Sequence, residues 1–271
     1  MAKIHLDKYY TPPDLAKYII NKTIEIIGED NITEYLEPSA GSGVFLDCLD
    51  ELNKPYLAYD IEPEDGKDRI TKCDFLELYL EYKKGRCIIG NPPYGKGNYT
   101  SVKFFKKSIR LSDYVVFILP ISQLDNNMYM YEFDLIHSED LGKRIYSNIE
   151  VHCCLNIYVR PIKGLNKKSN FDLKDVILKG VATGKSRNDK IPDEYDFSIC
   201  GFGASVGKIC EYEGQYCQQI YFTINNTDYK NKIVDLLKNV DWKELYSMTA
   251  TPKLKHWMIN KYIKEQIPEI N

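Results

Sequence analysis

The apolar positions in the first 120 residues follow two different spacings. From Pro12-Pro13 to Gly28 they recur every three or four residues, which predicts an amphipathic helix that the prolines open and the glycine ends. Short continuous apolar runs follow, separated by polar segments, and such runs are typical of buried strands. They lie near residues 35–36, 56–61, 87–90 and 113–120, with a helical segment at 101–111. The alternation predicts an α/β fold with a doubly wound, mostly parallel sheet.

A second pattern begins near Pro161, where glycine, asparagine and lysine become frequent. Short β-like runs between Phe171 and Asn226 are separated by glycines, and residues 252–266 carry an apolar stripe with helical spacing. We expect this stripe to pack on the body of the protein. The change in pattern predicts a first domain of residues 1–160 and a smaller, β-rich or mixed region of residues 161–271 that ends in a helix.

The composition is that of a globular protein, with 44% hydrophobic and 28% charged residues. No window approaches the roughly 18 apolar residues of a membrane span, and the amino terminus lacks the apolar core of a signal peptide. We expect no membrane association and a cytoplasmic location. The eight cysteines include no Cys-x-x-Cys pair and only four histidines are present, which favours reduced structural thiols and no metal site.

The net charge of −3 argues weakly against a nucleic-acid partner, but the distribution of charge argues for one. Residues 1–150 carry 18 basic and 25 acidic side chains, whereas residues 151–271 carry 18 basic and 14 acidic ones. Residues 160–190 contain nine basic and three acidic side chains. Such a segment is either a solvated loop or a surface that follows phosphates. The candidates for contacts with a nucleic-acid backbone are Lys163, Lys167, Lys168, Lys185 and Arg187.

The most informative segment is Asn91-Pro92-Pro93-Tyr94, which directly follows the apolar run that ends at Gly90. Two consecutive prolines end a strand, because neither donates a ladder hydrogen bond. The turn would leave a carboxamide, a proline carbonyl and an aromatic ring at the carboxyl end of the strand, where open α/β sheets bind ligands. Two acceptors and a π-face suit a flat, amino-substituted ring. Taken alone, Asn-Pro-Pro is more typical of an ordinary strand-ending turn, and the segments around it reverse that preference.

Three further segments place small or acidic residues after predicted strands. The run from Glu37 to Gly43 is a turn of small residues, which allows a ligand to approach closely but lacks the third glycine of the dinucleotide fingerprint. Asp60 lies about 20 residues further on, where an acid would hold a ribose diol. Asp74 and Phe75 offer an acceptor and a ring that would take the edge and the face of an adenine.

In this order the segments resemble the S-adenosylmethionine-dependent amino-methyltransferases, specifically the γ-type N6-adenine DNA methyltransferases of TaqI-like layout. The resemblance covers roughly residues 9–160. It implies a Rossmann-like methyltransferase fold, S-adenosylmethionine as cofactor, and a catalytic motif formed by Asn91, Pro92, Pro93 and Tyr94. The residues that it implies for cofactor binding are Tyr10, Thr11, Pro12, Glu37, Ser39, Ala40, Gly41, Asp60, Ile61, Asp74, Phe75 and Asn91.

The resemblance also implies how the target base is held. Tyr94 would stack on an adenine that has left the duplex, and Tyr146, five residues before Val151 of a late strand, would stack on the same flipped base. Alternatively, Tyr146 is simply a half-buried loop aromatic in a chain with 22 tyrosines. The expected partner is double-stranded DNA. We expect a monomer or homodimer, and a cognate restriction endonuclease that forms no stable complex with it.

Three functions stay open at this point. The first is a site-specific DNA adenine methyltransferase of a restriction-modification system or a phage. The second is a methyltransferase for RNA adenine or protein glutamine, although the glutamine enzymes usually carry an Asp-Leu-Gly type of turn where this chain has Glu37-Pro38-Ser39-Ala40. The third is a non-catalytic nucleic-acid-binding module with a degenerate methyltransferase fold, which the intact Asn91-to-Tyr94 segment disfavours.

Overall fold

The computed structural model describes residues 10–64, 68–146, 149–184, 187–248 and 252–270. The chain forms two compact units, Met1–Ser169 and Asn170–Asn271. Residues 161–169, which the sequence pattern grouped with the second region, therefore belong to the first unit. The first unit contains the helices α1 (Pro13–Ile27), α2 (Val44–Glu51) and α3 (Tyr99–Ser108).

A seven-stranded sheet forms the centre of the first unit, in the order β3-β2-β1-β4-β5-β7-β6. Strands β1 to β5 are parallel, whereas β7 runs antiparallel to both of its neighbours. The prediction of a doubly wound, mostly parallel sheet is confirmed. The strands are β1 (Glu34–Glu37), β2 (Tyr56–Asp60), β3 (Thr71–Lys72), β4 (Arg86–Gly90), β5 (Tyr114–Pro120), β6 (Asp134–Tyr146) and β7 (Ile149–Val159).

Helices on both faces of the sheet explain why its central strands are continuous apolar runs. All five residues of β4 are buried, and so are the five central residues of β5. Helices α1 and α2 cover one face, and Phe104 and Phe105 of α3 cover the other. As predicted, α1 begins after Pro12 and ends before Gly28, whose φ of 86° favours glycine.

The hairpin of β6 and β7 is longer than the sequence pattern indicates. Two register shifts interrupt the pairing of β6 with β7, so the apolar residues of β6 do not keep one period along its 13 residues. Pro120, the last residue of β5, pairs with Cys153 of β7. The residues of β7 before Cys153 therefore extend beyond β5 by about 13 Å, at about 3.3 Å per residue. This overhang lies at the carboxyl edge of the parallel strands.

The second unit combines a four-stranded antiparallel sheet, in the order β10-β11-β8-β9, with three helices. The last helix begins at His256, four residues later than the predicted start at Pro252. The reason is a competing pairing: the Pro252 carbonyl accepts a hydrogen bond from Gly203, and Lys253 pairs with Phe202. The elements are β8 (Val176–Gly184), β9 (Arg187–Asn188), β10 (Phe197–Cys200), β11 (Gln218–Ile224), α4 (Thr227–Lys238), α5 (Trp242–Leu245) and α6 (His256–Gln266).

Within the described part of the chain, no helix has both the length and the apolar character needed to cross a membrane. Five of the eight cysteines are buried, which agrees with their position in apolar runs. The buried set is Cys48, Cys87, Cys153, Cys154 and Cys200.

An ion pair joins β1 to β4 at their amino ends. Arg86 is 4% exposed, and its Nε donates to Glu34 Oε1 at 2.7 Å. Burial by itself raises the pKa of Glu34, but hydrogen bonds from Lys83 and Arg86 outweigh burial and hold that pKa below its ordinary value. The pair is therefore ionised in the folded state, and removal of the arginine would leave the mostly buried carboxylate with the half-exposed Lys83 as its remaining described cation.

We expect Arg86→Met to lower the free energy of unfolding by roughly 3 kcal/mol, because a mostly buried carboxylate loses its main partner. Urea denaturation at neutral pH measures this loss. Because the pKa of Glu34 is lowered by folding, the stabilisation by the pair should be present above the ordinary glutamate pKa and disappear as the pH falls through the lowered one.

The matched control is Lys83→Met, since Lys83 contacts the same carboxylate but is 47% exposed. Its loss should stay below about 1 kcal/mol, as for other exposed ion pairs. Equal losses in the two variants would contradict the importance assigned to the buried guanidinium.

Candidate active site

A cavity of about 330 Å³ opens at the carboxyl edge of the parallel strands. Residues that follow β1, β2 and β4 line it, together with residues before α1, at the start of α2 and in α3. Its volume lies within the range of small-molecule sites. Open α/β sheets bind their ligands at this edge, so the cavity is the candidate active site.

The turn between β1 and α2 brings main-chain atoms to the cavity wall. The Ala40 N–H donates to the Tyr59 carbonyl at 2.9 Å, which fastens the turn to β2. Gly41 has a φ of +50°, and a Cβ there would lie 3.1 Å from the ring of Tyr10. Both the conformation and the space at this position require glycine. A ligand can therefore approach the main chain at the start of α2.

The carboxylate of Asp60 connects the end of β2 to this turn. Its Oδ2 accepts a hydrogen bond from the Gly41 N–H at 2.8 Å, and its Oδ1 accepts one from the Glu62 N–H at 2.8 Å. An ionised carboxylate has about four acceptor positions, so two main-chain donors leave capacity for further donors. Asp60 thus orders the turn and presents an acceptor to the cavity.

Glu37 is an ionisable group inside the cavity wall. It is 2% exposed, and its Oε2 has no hydrogen-bonding partner among the described residues. Burial raises the pKa of this carboxyl well above its ordinary value, the nearby carboxylates of Asp60 and Asp47 raise it further, and Arg69 opposes the shift. A buried acceptor without a partner is costly, and a ligand with a donor or a positive charge would satisfy it.

Asp74 and Phe75 form another part of the wall, beyond β3. Asp74 Oδ1 accepts a hydrogen bond from the Leu76 N–H at 2.9 Å, which holds the carboxylate in the turn. The ring of Phe75 is 1% exposed and packs against Phe104 of α3, with 5.3 Å between the ring centroids. Phe75 thus offers an apolar surface to the face of a flat ligand, and Asp74 offers an acceptor to the edge of that ligand.

The turn after β4 carries Asn91 into the same cavity. Its Nδ2 lies 3.4 Å from Thr11 Oγ1, and its carbonyl accepts a hydrogen bond from Ser39 Oγ at 3.3 Å. The Pro93 carbonyl accepts one from Ser101 Oγ at 3.1 Å. Two segments that are distant in sequence and the nearby start of α3 therefore fix this turn, and the amide is oriented towards residues that precede α1.

Tyr94 and Tyr146 meet at a thiol on β7. Tyr94 is half-buried, and its hydroxyl lies 3.3 Å from Cys153 Sγ. Tyr146, at the end of β6, is 1% exposed and packs in the same core cluster as Cys153. Burial raises the pKa of both phenols, and the Cys153 thiol contributes to the shift in each case. The Tyr146 ring is thus a core residue in this structure and does not line the cavity.

The structure brings most of the predicted cofactor residues together. Pro12 is the exception, since it precedes the first turn of α1 and is not among the lining residues. Of the catalytic motif, Asn91 and Pro93 line the cavity, whereas Pro92 is buried behind it and Tyr94 points to β7. The predicted cofactor residues that line the cavity are Tyr10, Thr11, Glu37, Ser39, Ala40, Gly41, Asp60, Ile61, Asp74, Phe75 and Asn91.

The basic residues are not brought to the cavity. Lys163, Lys167 and Lys168 are exposed and follow Val159, which pairs with the amino end of β5, so they emerge at the opposite edge of the sheet. Lys185 lies outside the described residues, and so does the side chain of Arg187. Their contact with a nucleic-acid backbone stays a prediction.

Several lining residues were missed from the sequence. Glu62 follows Asp60 by two positions, and that acidic spacing is a signal that could have indicated it. Gly95 and Thr100 had a weaker signal, the glycine just after the motif: a Cβ on Gly95 would lie 2.2 Å from Thr100 Oγ1. Pro38 and Ser42 lie within the predicted turn from Glu37 to Gly43, although they were not named individually. The remaining lining residues are apolar and carried no signal: Val44, Phe45, Leu76 and Phe104.

The site shows no sign of metal ligation within the described residues, where no three His, Cys, Asp or Glu side chains cluster in a way that could hold an ion. Its polar groups are carboxyls, hydroxyls, one carboxamide and main-chain donors. Such a set can bind an organic ligand that carries both hydroxyl or ammonium donors and a flat ring.

Comparison with known proteins gives a partial match. No family model matches the chain. Two proteins of Haemophilus influenzae, the Type II methyltransferases M.HincII and M.HindII, are each 34% identical to it over 94 residues, or 34% of this chain. The match spans 18% and 17% of their lengths, so the chain is similar to less than a fifth of each relative. Among solved structures, a candidate RNA methyltransferase of Pyrococcus horikoshii shares 16% identity, with 60% of this chain and 92% of that chain covered and a TM-score of 0.47.

The residues around the cavity fit S-adenosylmethionine. Asp60 has acceptor capacity for ribose hydroxyls, Asp74 and Phe75 would take the edge and the face of the adenine, and the buried oxygen of Glu37 needs a donor. These are the groups that the nucleoside and the amino-acid end of the cofactor present. The chain therefore has a doubly wound, mostly parallel α/β fold whose cavity carries the groups that S-adenosylmethionine needs.

We expect the ligand-free protein to lose stability as the pH rises above about 4.3, the ordinary glutamate pKa. Above it the unfolded chain releases the Glu37 proton, whereas the raised pKa keeps that proton bound in the folded state. Glu37→Gln has no proton to release and so lacks this pH dependence. The free energy of unfolding of Glu37→Gln minus that of the wild type should therefore increase from about pH 5 to about pH 8. Urea denaturation across this range measures it. Exposed Glu77→Gln is the control, and a constant difference between Glu37→Gln and wild type would rule out the raised pKa.

Proposed function

We propose that this protein transfers a methyl group from S-adenosylmethionine to N6 of an adenine in a specific DNA sequence. The observation that carries the proposal is the position of the Asn91 carboxamide in the wall of the cofactor cavity. Asn91 follows β4 directly, and its hydrogen-bonding distance of 3.4 Å to Thr11 orients the amide. An amide acceptor is thus held beside the cofactor site, where an amine substrate has to be aligned.

The chemistry needs acceptors more than it needs a base. The adenine amine is a weak nucleophile because its lone pair is delocalised into the ring, and hydrogen bonds from both N6–H groups to acceptors localise that pair. Asn91 Oδ1 and the Pro92 carbonyl would be these acceptors. When bound, S-adenosylmethionine supplies an electrophilic methyl group on a sulfonium. The residues of the chain supply position and polarity, and the aminium product can lose its proton after transfer.

The substrate base has to leave the helix to reach this edge of the sheet. Enzymes that act on a base in a duplex extrude it and hold it against aromatic side chains. Tyr94 follows the acceptors in the same turn and is the residue that we assign to this stacking. Its ring is half-buried beside the cavity and does not line it, so the base would meet the exposed part of the ring. Tyr146 would need to move from its buried position to contribute a second surface.

Support for DNA as the substrate comes from the partial similarity to proteins named Type II methyltransferases. The second unit, residues 170–271, is proposed to recognise the target sequence. A monomeric or homodimeric state, a cytoplasmic location and a separate restriction endonuclease of the same specificity belong to the same proposal. RNA adenine and protein glutamine are the competing acceptors, since both are planar and carry an amine or amide nitrogen.

The test is transfer of tritiated methyl groups from S-adenosylmethionine to unmethylated genomic DNA, with total RNA and purified release factor as parallel acceptors. Label in DNA, recovered as N6-methyladenine, is the expected result, and sequencing of the modified sites then gives the target. Label confined to RNA or protein would overturn the substrate and keep the chemistry. Absence of label in all three acceptors, with the cofactor bound, would overturn the proposed function.

We expect Asn91→Ala to lower the rate of transfer by about 10²–10³-fold, the range seen when one polar group that stabilises a transition state is removed. The cofactor affinity should change far less, because ten other predicted residues of that site remain. Single-turnover transfer and equilibrium cofactor binding measure the two effects. Asn21→Ala, at an exposed position of α1, is the control for loss of an asparagine. An undiminished rate in Asn91→Ala would refute the mechanism.

A further inference from the structure

A hydrogen bond ties the side chain of Tyr94 to the core of the protein. The Tyr94 hydroxyl and the Cys153 thiol lie 3.3 Å apart, and either can be the donor. Cys153 is 0% exposed, so this contact lies beneath the active-site edge and not on the surface. No step of the proposed reaction uses the thiol. The thiol of Cys153 nevertheless contacts Tyr94, the aromatic residue of the catalytic turn, so its role would have to be exerted through that tyrosine.

Cys153 occupies a rigid position. It pairs with Pro120 of β5 on one side and with Gly142 of β6 on the other, so its main chain is held within the sheet. Successive residues of a strand face opposite sides. Cys153 accordingly belongs to the core cluster beneath α1, together with Tyr146, whereas Cys154 belongs to the cluster beneath α3.

The main chain of Tyr94 is fixed by its turn, but the orientation of its ring depends on further contacts. The two prolines limit the turn, and the Tyr94 carbonyl accepts a hydrogen bond from the Thr100 N–H at 3.1 Å. These contacts leave the two side-chain torsions of tyrosine. Packing against the α1-side core and the bond to Cys153 both act on those torsions.

We propose that Cys153 is a positioning residue, whose thiol holds the Tyr94 hydroxyl and so fixes the plane of the ring that receives the target base. The inference rests on the proposed function and adds to it a residue that never touches the substrate. A phenol ring fixed at its far end presents one face in one orientation, which reduces the number of arrangements that a flipped base can adopt. Burial raises the pKa of Tyr94, so the hydroxyl stays protonated and keeps this bond throughout the working pH range.

The chain supplies a matched control. Cys154 is also 0% exposed, and its Sγ donates to the Pro120 carbonyl at 3.4 Å, on the opposite face from Tyr94. Cys153→Ala and Cys154→Ala therefore remove the same atoms from the same strand, but only the first removes a hydrogen bond to Tyr94. Cys153→Ser is the conservative variant, because its hydroxyl can still hydrogen-bond with the tyrosine.

The first measurement is NMR of the protein with isotope-labelled tyrosine, with the Tyr94 signals assigned by Tyr94→Phe. We expect Cys153→Ala to shift the Tyr94 ring signals and to accelerate flipping of the ring, while Cys154→Ala leaves both unchanged and Cys153→Ser restores the wild-type behaviour. Unchanged Tyr94 signals in Cys153→Ala would overturn the positioning role. This measurement needs no substrate, so it decides the role of Cys153 even if the protein does not methylate DNA.

The second measurement is methyl transfer to the DNA target. Cys153→Ala should lower kcat/KM for DNA by about two- to tenfold, the worth of one neutral hydrogen bond, with cofactor affinity unchanged. Tyr94→Phe removes the same bond from the other side, so the double variant should be no slower than the slower single variant. If the rate losses of the two single variants multiply in the double variant, the two residues act independently and the inference is overturned. If wild-type protein fails to methylate DNA, the proposed function is lost, and the NMR result alone decides the role.

Discussion

The parallel pairing of β2, β1 and β4 is the constraint on which the active site depends. In this pairing Glu37 lies opposite Ala58, and Leu36 lies opposite Ile88, so the three strands end close together at one edge. The turns that follow them then meet without any direct connection along the chain. Ser39 and Asn91 are 52 residues apart in sequence and still share a hydrogen bond. The site is thus a product of sheet register, and local structure alone would not form it.

Two carboxyl groups beside this edge, those of Asp60 and Glu37, differ in burial and in hydrogen bonding. Asp60 accepts two main-chain hydrogen bonds and serves as a fixed acceptor at the cavity. Glu37 is buried on the neighbouring strand with one oxygen unpartnered, and desolvation favours its neutral form. The cavity therefore combines one satisfied acid with one unsatisfied acid. A ligand donor would add a hydrogen bond to the first and would give the buried oxygen of the second its partner.

The sequence was informative wherever one residue type has one dominant physical use. Consecutive prolines end a strand, small residues permit close approach, and continuous apolar runs become central strands, so the sheet and the residues after β1, β2 and β4 could be predicted. β6 could not, because two register shifts break its period. The neighbourhoods of Tyr146 and Cys153 depend on which face each strand presents, and that follows from the register of a hairpin rather than from composition.

The two prolines after Asn91 have a consequence for the folding of the active site. Each pyrrolidine ring fixes one backbone torsion, so the turn samples few conformations even in the unfolded chain. Ordering this turn on folding therefore costs less conformational entropy than ordering an ordinary loop of the same length. The two proline rings therefore determine part of the backbone geometry of the turn before the chain folds. Packing elsewhere in the domain therefore has to place this turn beside β1, but it contributes less to the shape of the turn itself.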